Sequence, residues 1–221
     1  DHHDCTDLLG QLFFLCFQFC QTVCVSLDLC LDSFCFFCLG RILLCLTHQH
    51  TDLLGQCITG SAEVVCFLEW FISLPHPQKI IVAGNHDTCL RGESIEGLPD
   101  NCHYLDCSSV KINGITFYGV PLFMEDVKEG IMDMKYSQIP TGTDVLITHQ
   151  PPIGIMDGDE SLGFGNTALL ARVLELRPRI HLYGHAHGEA GMQAGLSTAF
   201  SNGAATDEFC NIVGNGNKIS F

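Results

Sequence analysis

Basic residues are scarce in this chain: 10 Lys and Arg stand against 25 Asp and Glu, giving a net charge of −15 over 221 residues. Such a balance repels nucleic-acid backbones and anionic membranes, so polymeric nucleic acid is not an expected partner and a phosphate-bearing substrate needs bound cations. The chain starts at Asp1 with neither a Met nor a charged-then-apolar leader, so it reads as a trimmed product or fragment. Secretion is then unsupported, and the cytoplasm is the default compartment. No second CxxC accompanies Cys35-Phe-Phe-Cys38, whose neighbours are apolar, which argues against a zinc or redox site there. Ten of the 14 cysteines fall in the first 66 residues, mostly among Phe and Leu, surroundings that suit buried reduced thiols better than a disulfide framework.

Leu8 to Leu27 carries no charge and is just long enough to span a bilayer. It lacks flanking Lys or Arg clusters, and Gln11, Gln18 and Gln21 interrupt it, so a membrane span is not expected. After Asp28 and Asp32 a second apolar run reaches Leu46. Thr6-Asp-Leu-Leu-Gly-Gln11 recurs as Thr51-Asp-Leu-Leu-Gly-Gln56, a single pair and no solenoid. The Phe/Leu/Cys-rich residues 12–50 inside this direct repeat read as an inserted stretch. The length suits one domain overall, with residues 1–57 as an irregular N-terminal region and 58–221 as the core.

The core is orderly. Ala62 to Ser73 carries Val64, Val65, Leu68, Phe71 and Ile72 at helical spacing and ends before Pro75. Lys79 to Ala83 and Asp144 to Thr148 have the composition of short buried strands, and so does Arg179 to Tyr183. Ser109–Ile112 and Ile115–Val120 flank Asn113-Gly114, a strong hairpin signal. Thr167 to Leu176 reads as a second helix, residues 91–101 as a polar loop, and Thr198 to Ala204 as an edge hairpin before a polar C-terminus.

Each of the three buried strands runs into a turn that presents His: Gly84-Asn85-His86-Asp87, Thr148-His149-Gln150-Pro151-Pro152 and Gly184-His185-Ala186-His187. Strand carboxyl ends are where open α/β sheets keep their ligands. Imidazole and carboxylate ligands suit Mn, Fe, Zn or Co, and a two-metal site can clamp the attacking and leaving oxygens of phosphoryl transfer. Asn85 offers a neutral carbonyl oxygen, and His86 on the same turn can lie beside the metals as a general acid or charge stabiliser. Asp1 and His3, in D-x-H spacing, add two further candidate ligands at the N-terminus.

These three motifs resemble those of the calcineurin-like metallophosphoesterase superfamily. EWFISLPHPQKIIVAGNHD, NGITFYGVP and LITHQPP…LRPRIHLYGHAHG resemble its small phosphodiesterase branch, which includes the brain-expressed metallophosphoesterase-domain proteins, over roughly residues 58–221. The resemblance implies a four-layer α/β/β/α sandwich with two divalent ions at the sheet ends. It implies Asp1, His3 and His187 as ligands of the first ion, Asn85, His149 and His185 as ligands of the second, and His86 beside the leaving group. It also implies in-line attack of a metal-bound hydroxide on a small phosphodiester or phosphomonoester, with a cyclic nucleotide among the candidates.

One departure stands out. The family takes a bridging carboxylate from a Gly-Asp motif, and here Gly55-Gln56 occupies that place. A neutral Gln does not bring the negative charge that holds two cations together, so weakened activity or a single bound ion is expected. The alternative reading is a catalytically degenerate protein of the same fold that still binds a metal or a nucleotide.

Overall fold

Four consecutive buried apolar residues, Ile80 to Ala83, require a strand covered on both faces. The computed structural model, which describes residues 11–16, 23–28, 62–158, 163–205 and 216–220, supplies both covers. In chain order its elements are β1 (Gln11–Cys16), β2 (Val23–Asp28), α1 (Ala62–Ser73), β3 (Gln78–Val82), β4 (Cys102–Tyr104), β5 (Ser108–Ile112) and β6 (Ile115–Val120). There follow α2 (Met124–Glu129), α3 (Met132–Ser137), β7 (Val145–Thr148), α4 (Thr167–Leu176), β8 (Ile180–Tyr183), β9 (Gly191–Ala194), β10 (Ala199–Asn202) and β11 (Asn217–Ser220). They form two sheets, of strand order β11-β1-β2-β3-β4 and β5-β6-β7-β8-β10-β9.

The period-2 alternation of strands assigns each side chain to a layer. Ile80 and Val82 of β3 face Phe117, Val145, Ile147, Ile180 and Leu182 of the second sheet, filling the space between the sheets. Ile81 and Ala83 point the other way, onto Val64, Leu68 and Phe71 of α1. On the far side Tyr118, Val120, Leu146 and Tyr183 pack under Met132 and Tyr136 of α3 and Leu169 and Val173 of α4. The result is a four-layer α/β/β/α sandwich. At Gly119 the sheets approach so closely that a Cβ would fall 2.4 Å from Leu105 Cβ and 2.8 Å from Val82 Cγ2.

Local chemistry fixes the ends. Buried Lys79 donates through Nζ to the carbonyls of Ile72 (3.2 Å) and Leu74 (3.0 Å), satisfying the end of α1. Asn113 and Gly114, at φ 51° and 85°, make the tight turn that pairs Ile112 with Ile115. The Asn166 side chain caps α4 by accepting from the Leu169 N–H at 2.8 Å.

Several elements differ from the sequence expectation. The edge hairpin expected over Thr198 to Ala204 is instead β9 paired with β10. Thr198 to Ala204 holds only its inner strand, which lies parallel to β8. Gly191-Met-Gln-Ala194 shows no apolar alternation because it is a largely exposed edge. The polar C-terminus supplies β11, antiparallel to β1. Residues 11–16 and 23–28, assigned from sequence to the Gln11 end and interior of the repeat-enclosed stretch, are two adjacent strands, and β2 lies beside β3. The short α2 and α3 and the three-residue β4 carry no periodic signal of their own length. Cys35 and Cys38 lie outside the described residues; among the described residues Cys89, Cys102 and Cys107 form no disulfide. No helix among the described residues is long and apolar enough to cross a membrane.

Candidate metal centre

The exits of four strands are stitched together by backbone hydrogen bonds, so the turns beyond them converge. The Leu122 N–H donates to the Ala83 carbonyl (3.3 Å), the His149 N–H to Val120 (3.3 Å) and the Gly184 N–H to His149 (3.3 Å). These bonds bring the end of β3, from one sheet, against the ends of β7 and β8 from the other.

Each turn is held locally as well. In Gly84-Asn85-His86-Asp87 the buried Asp87 carboxylate accepts from the Gly84 N–H at 2.7 Å, which makes it the brace of the turn. Thr148 Oγ1 donates to the Gln150 carbonyl at 2.6 Å, shaping the His149 turn. That commits its lone pair to the buried His181, whose Nε2–H donates at 2.9 Å while Nδ1 has no partner among the described residues. His185 sits at φ 67°, inside a three-residue turn closed by Ala186 N–H to the Gly184 carbonyl at 2.8 Å. A non-glycine residue there carries strain of roughly 1 kcal/mol, and such strain concentrates at functional sites. Asn202 holds the turn by donating to the Ala186 carbonyl (2.8 Å) and to that of Met156 (3.2 Å).

Three donors meet at the centre. His149 Nε2 lies 2.9 Å from Asn85 Oδ1 and 3.2 Å from His185 Nδ1. With metal–nitrogen bonds of about 2.1 Å, neighbouring ligands of one ion stand roughly 3 Å apart, so the trio fits a divalent cation. One amide oxygen and two imidazoles are also the donor chemistry of a Mn, Fe, Zn or Co site. Among the described residues no three His, Cys, Asp or Glu side chains come together as a ligand cluster, so an ion held here depends on the Asn85 amide as well as on the imidazoles.

The electrostatics keep the imidazoles neutral. Burial, then the charges of His185, His187 and His86, push His149 well below the usual histidine value. Burial first, then His187 and His86, pushes His185 down to about 4. A neutral imidazole keeps a ring lone pair for a cation, so the same desolvation that disfavours protonation favours ligation. His149 Nδ1 has no hydrogen-bond partner among the described residues.

Of the residues singled out from sequence, Asn85, His149 and His185 come together, while His86 is exposed and His187 half-buried, both near enough to act on those imidazoles. Asp1 and His3 lie outside the described residues, as does Gln56. Sequence reasoning missed Phe164, whose ring meets that of His185 at 4.8 Å and 80°. It also missed Asn202, which reaches the site from a strand separate from all three motifs. Neither carries a local sequence signal.

Comparison with known proteins accords with this arrangement. The chain is 30% identical over 177 residues to the human metallophosphoesterase domain-containing protein 1, covering 64% of this chain and 54% of that protein. It is 32% identical over 167 residues to a UPF0046 protein of Caenorhabditis elegans, covering 64% and 57%, and 32% identical over 175 residues to a second, covering 66% and 62%. The chain thus spans little more than half the length of these relatives. Residues 55–189 match the family model of the calcineurin-like phosphoesterases, a span that starts at Gly55-Gln56 and includes all three histidine turns. With the sandwich and the converging turns, this match establishes that the chain belongs to the calcineurin-like phosphoesterase family.

Proposed function

We propose that this chain is a metal-dependent phosphoesterase that hydrolyses a small phosphodiester or phosphomonoester, with a nucleotide among its candidate substrates. Family membership supports a hydrolase, and calcineurin-like phosphoesterases usually bind divalent metals. The observation that carries the reading is that Asn85 Oδ1 and His185 Nδ1 each lie within 3.2 Å of His149 Nε2 at the joined ends of two sheets. Such a trio would hold one ion of Mn, Fe, Zn or Co. When bound, that ion supplies positive charge that polarises phosphoryl oxygens and makes water more acidic.

The chain's own residues divide the remaining work. Burial holds His149 and His185 neutral, ready to ligate. His86, exposed on the turn that carries Asn85, would give a proton to the departing ester oxygen. His187, with Asp1 and His3, would hold the other ion, the first of the two that the resemblance implies, and Gln56 would weaken its hold because it offers no bridging charge. The net charge of −15 makes the cation necessary for an anionic substrate and disfavours polymeric nucleic acid. A cytoplasmic setting would suit the thiol-rich sequence, with 14 cysteines.

Hydrolysis of bis-p-nitrophenyl phosphate with added Mn²⁺ tests this. The enzyme reading expects turnover that His86→Ala lowers by about 10²-fold or more. Gln56 in place of the family's Asp favours a second reading, a degenerate binder of the same fold. Absence of turnover together with measurable nucleotide binding would select it.

A further inference from the structure

Phe164 is a large apolar residue, 38% exposed, lying against the ring of a candidate metal ligand. Exposed aromatics scattered over a surface need no explanation, but this one is fixed from several sides. Its N–H donates to the Asp157 carbonyl at 2.9 Å, and its carbonyl accepts from Gln150 Nε2 at 2.9 Å. Gln150 is the residue after His149, and its Oε1 in turn accepts from the hydroxyl of the fully buried Tyr136 at 2.7 Å. The next residue, Gly165, has no room for a side chain, since a Cβ would fall 2.4 Å from Ile153 Cα. Both backbone groups of Phe164 are therefore tied down, and the tie on its carbonyl runs to the turn that carries His149. The ring is held upright on His185 instead of collapsing into the core.

A fixed, partly open aromatic ring beside a phosphate-binding cation offers what the cation cannot, an apolar surface for the organic part of the ester. Aromatic groups meet such a ring edge-on or offset-stacked, and the contact contributes beyond area alone. We propose that Phe164 is a substrate-contact residue that selects phosphoesters bearing an aromatic group, with Gln150 as its positioning residue. This rests on the reading of Asn85, His149 and His185 as the phosphoester site. A simple aryl ester and a nucleobase share the required chemistry.

The test is calorimetric binding to the full chain in the presence of Mn²⁺, comparing phenyl phosphate with methyl phosphate and adenosine 5′-monophosphate with ribose 5-phosphate. In the unmodified chain phenyl phosphate should bind about five-fold tighter than methyl phosphate. Phe164→Ala should bring the ratio of the two affinities to about one, whereas Phe164→Tyr should keep it near five. A matching loss for the adenosine pair would identify a nucleobase as the group recognised; an advantage confined to the phenyl pair would identify a simple aryl ester. Equal affinities within both pairs, or an advantage that survives Phe164→Ala, would overturn the proposal. Aromatic preference without hydrolysis of bis-p-nitrophenyl phosphate would refute the hydrolase reading alone, and hydrolysis without aromatic preference would refute this proposal alone.

Discussion

His149 Nε2 and Asn85 Oδ1 lie 2.9 Å apart although 64 residues separate them and they leave different sheets of the sandwich. Their contact exists only when both sheets are assembled, so an ion held by this pair would link binding to folding. Removing either donor takes one ligand from three. Asn85→Ala should weaken Mn²⁺ binding by about ten-fold or more, whereas Asn85→Asp, which keeps an oxygen and adds charge, should retain it. Titration of the free Mn²⁺ electron paramagnetic resonance signal reads both variants.

Acid should unfold the metal-free protein early. Burial pushes His181 down to about 3. The unfolded chain takes up a proton near pH 6.5 and the folded chain resists until about 3, so stability is full above pH 6.5 and declines as pH falls through that window. His185, lowered to about 4, and His149, also lowered, act with the same sign. Each such histidine adds a slope of at most about 1.4 kcal/mol per pH unit. His181→Gln keeps a donor for Thr148 and removes one titration, so its melting temperature should fall less steeply than that of the unmodified chain between pH 6.5 and 4.5. Parallel curves would refute this assignment.

Gly119 marks the closest approach of the two sheets. A methyl group there meets Leu105 and Val82, and Val82 ends the strand that leads into Asn85. Gly119→Ala should destabilise the fold by about 1–3 kcal/mol through overpacking. Denaturant unfolding measures it, and an unchanged midpoint would mean that the sheets part at no cost.

Asp126, 1% exposed, is held between Arg91 Nη2 at 2.7 Å and Lys135 Nζ at 2.6 Å. Burial opposes its ionisation, but the hydrogen bonds from Lys135 and Arg91 outweigh burial and place its pKa below the ordinary carboxylate value. Asp126→Asn leaves Lys135 without its closest anion, with a loss of about 2–4 kcal/mol, read by the same unfolding experiment.

What could be read from sequence was local. Asn113-Gly114 and the buried runs ending at Ala83, Thr148 and Tyr183 carry their own signals, and the three turns they feed hold the residues that meet in space. Phe164 and Asn202 could not be read this way. Phe164 reaches His185 from a loop, and Asn202 reaches Met156 across 46 residues, contacts that only the assembled sheet order creates. The edge pair β9–β10 was misplaced because an exposed edge such as Gly191–Ala194 needs no apolar alternation. The Gln56 substitution is the reverse case, visible as a motif departure in the sequence and outside the described residues.

Metal analysis of the purified full chain after Mn²⁺ loading and desalting tests the central claim most directly. One ion per chain, lost in His149→Ala, is the predicted result. No bound ion, or an ion retained undiminished in His149→Ala, would contradict the assignment of Asn85, His149 and His185 as the metal centre.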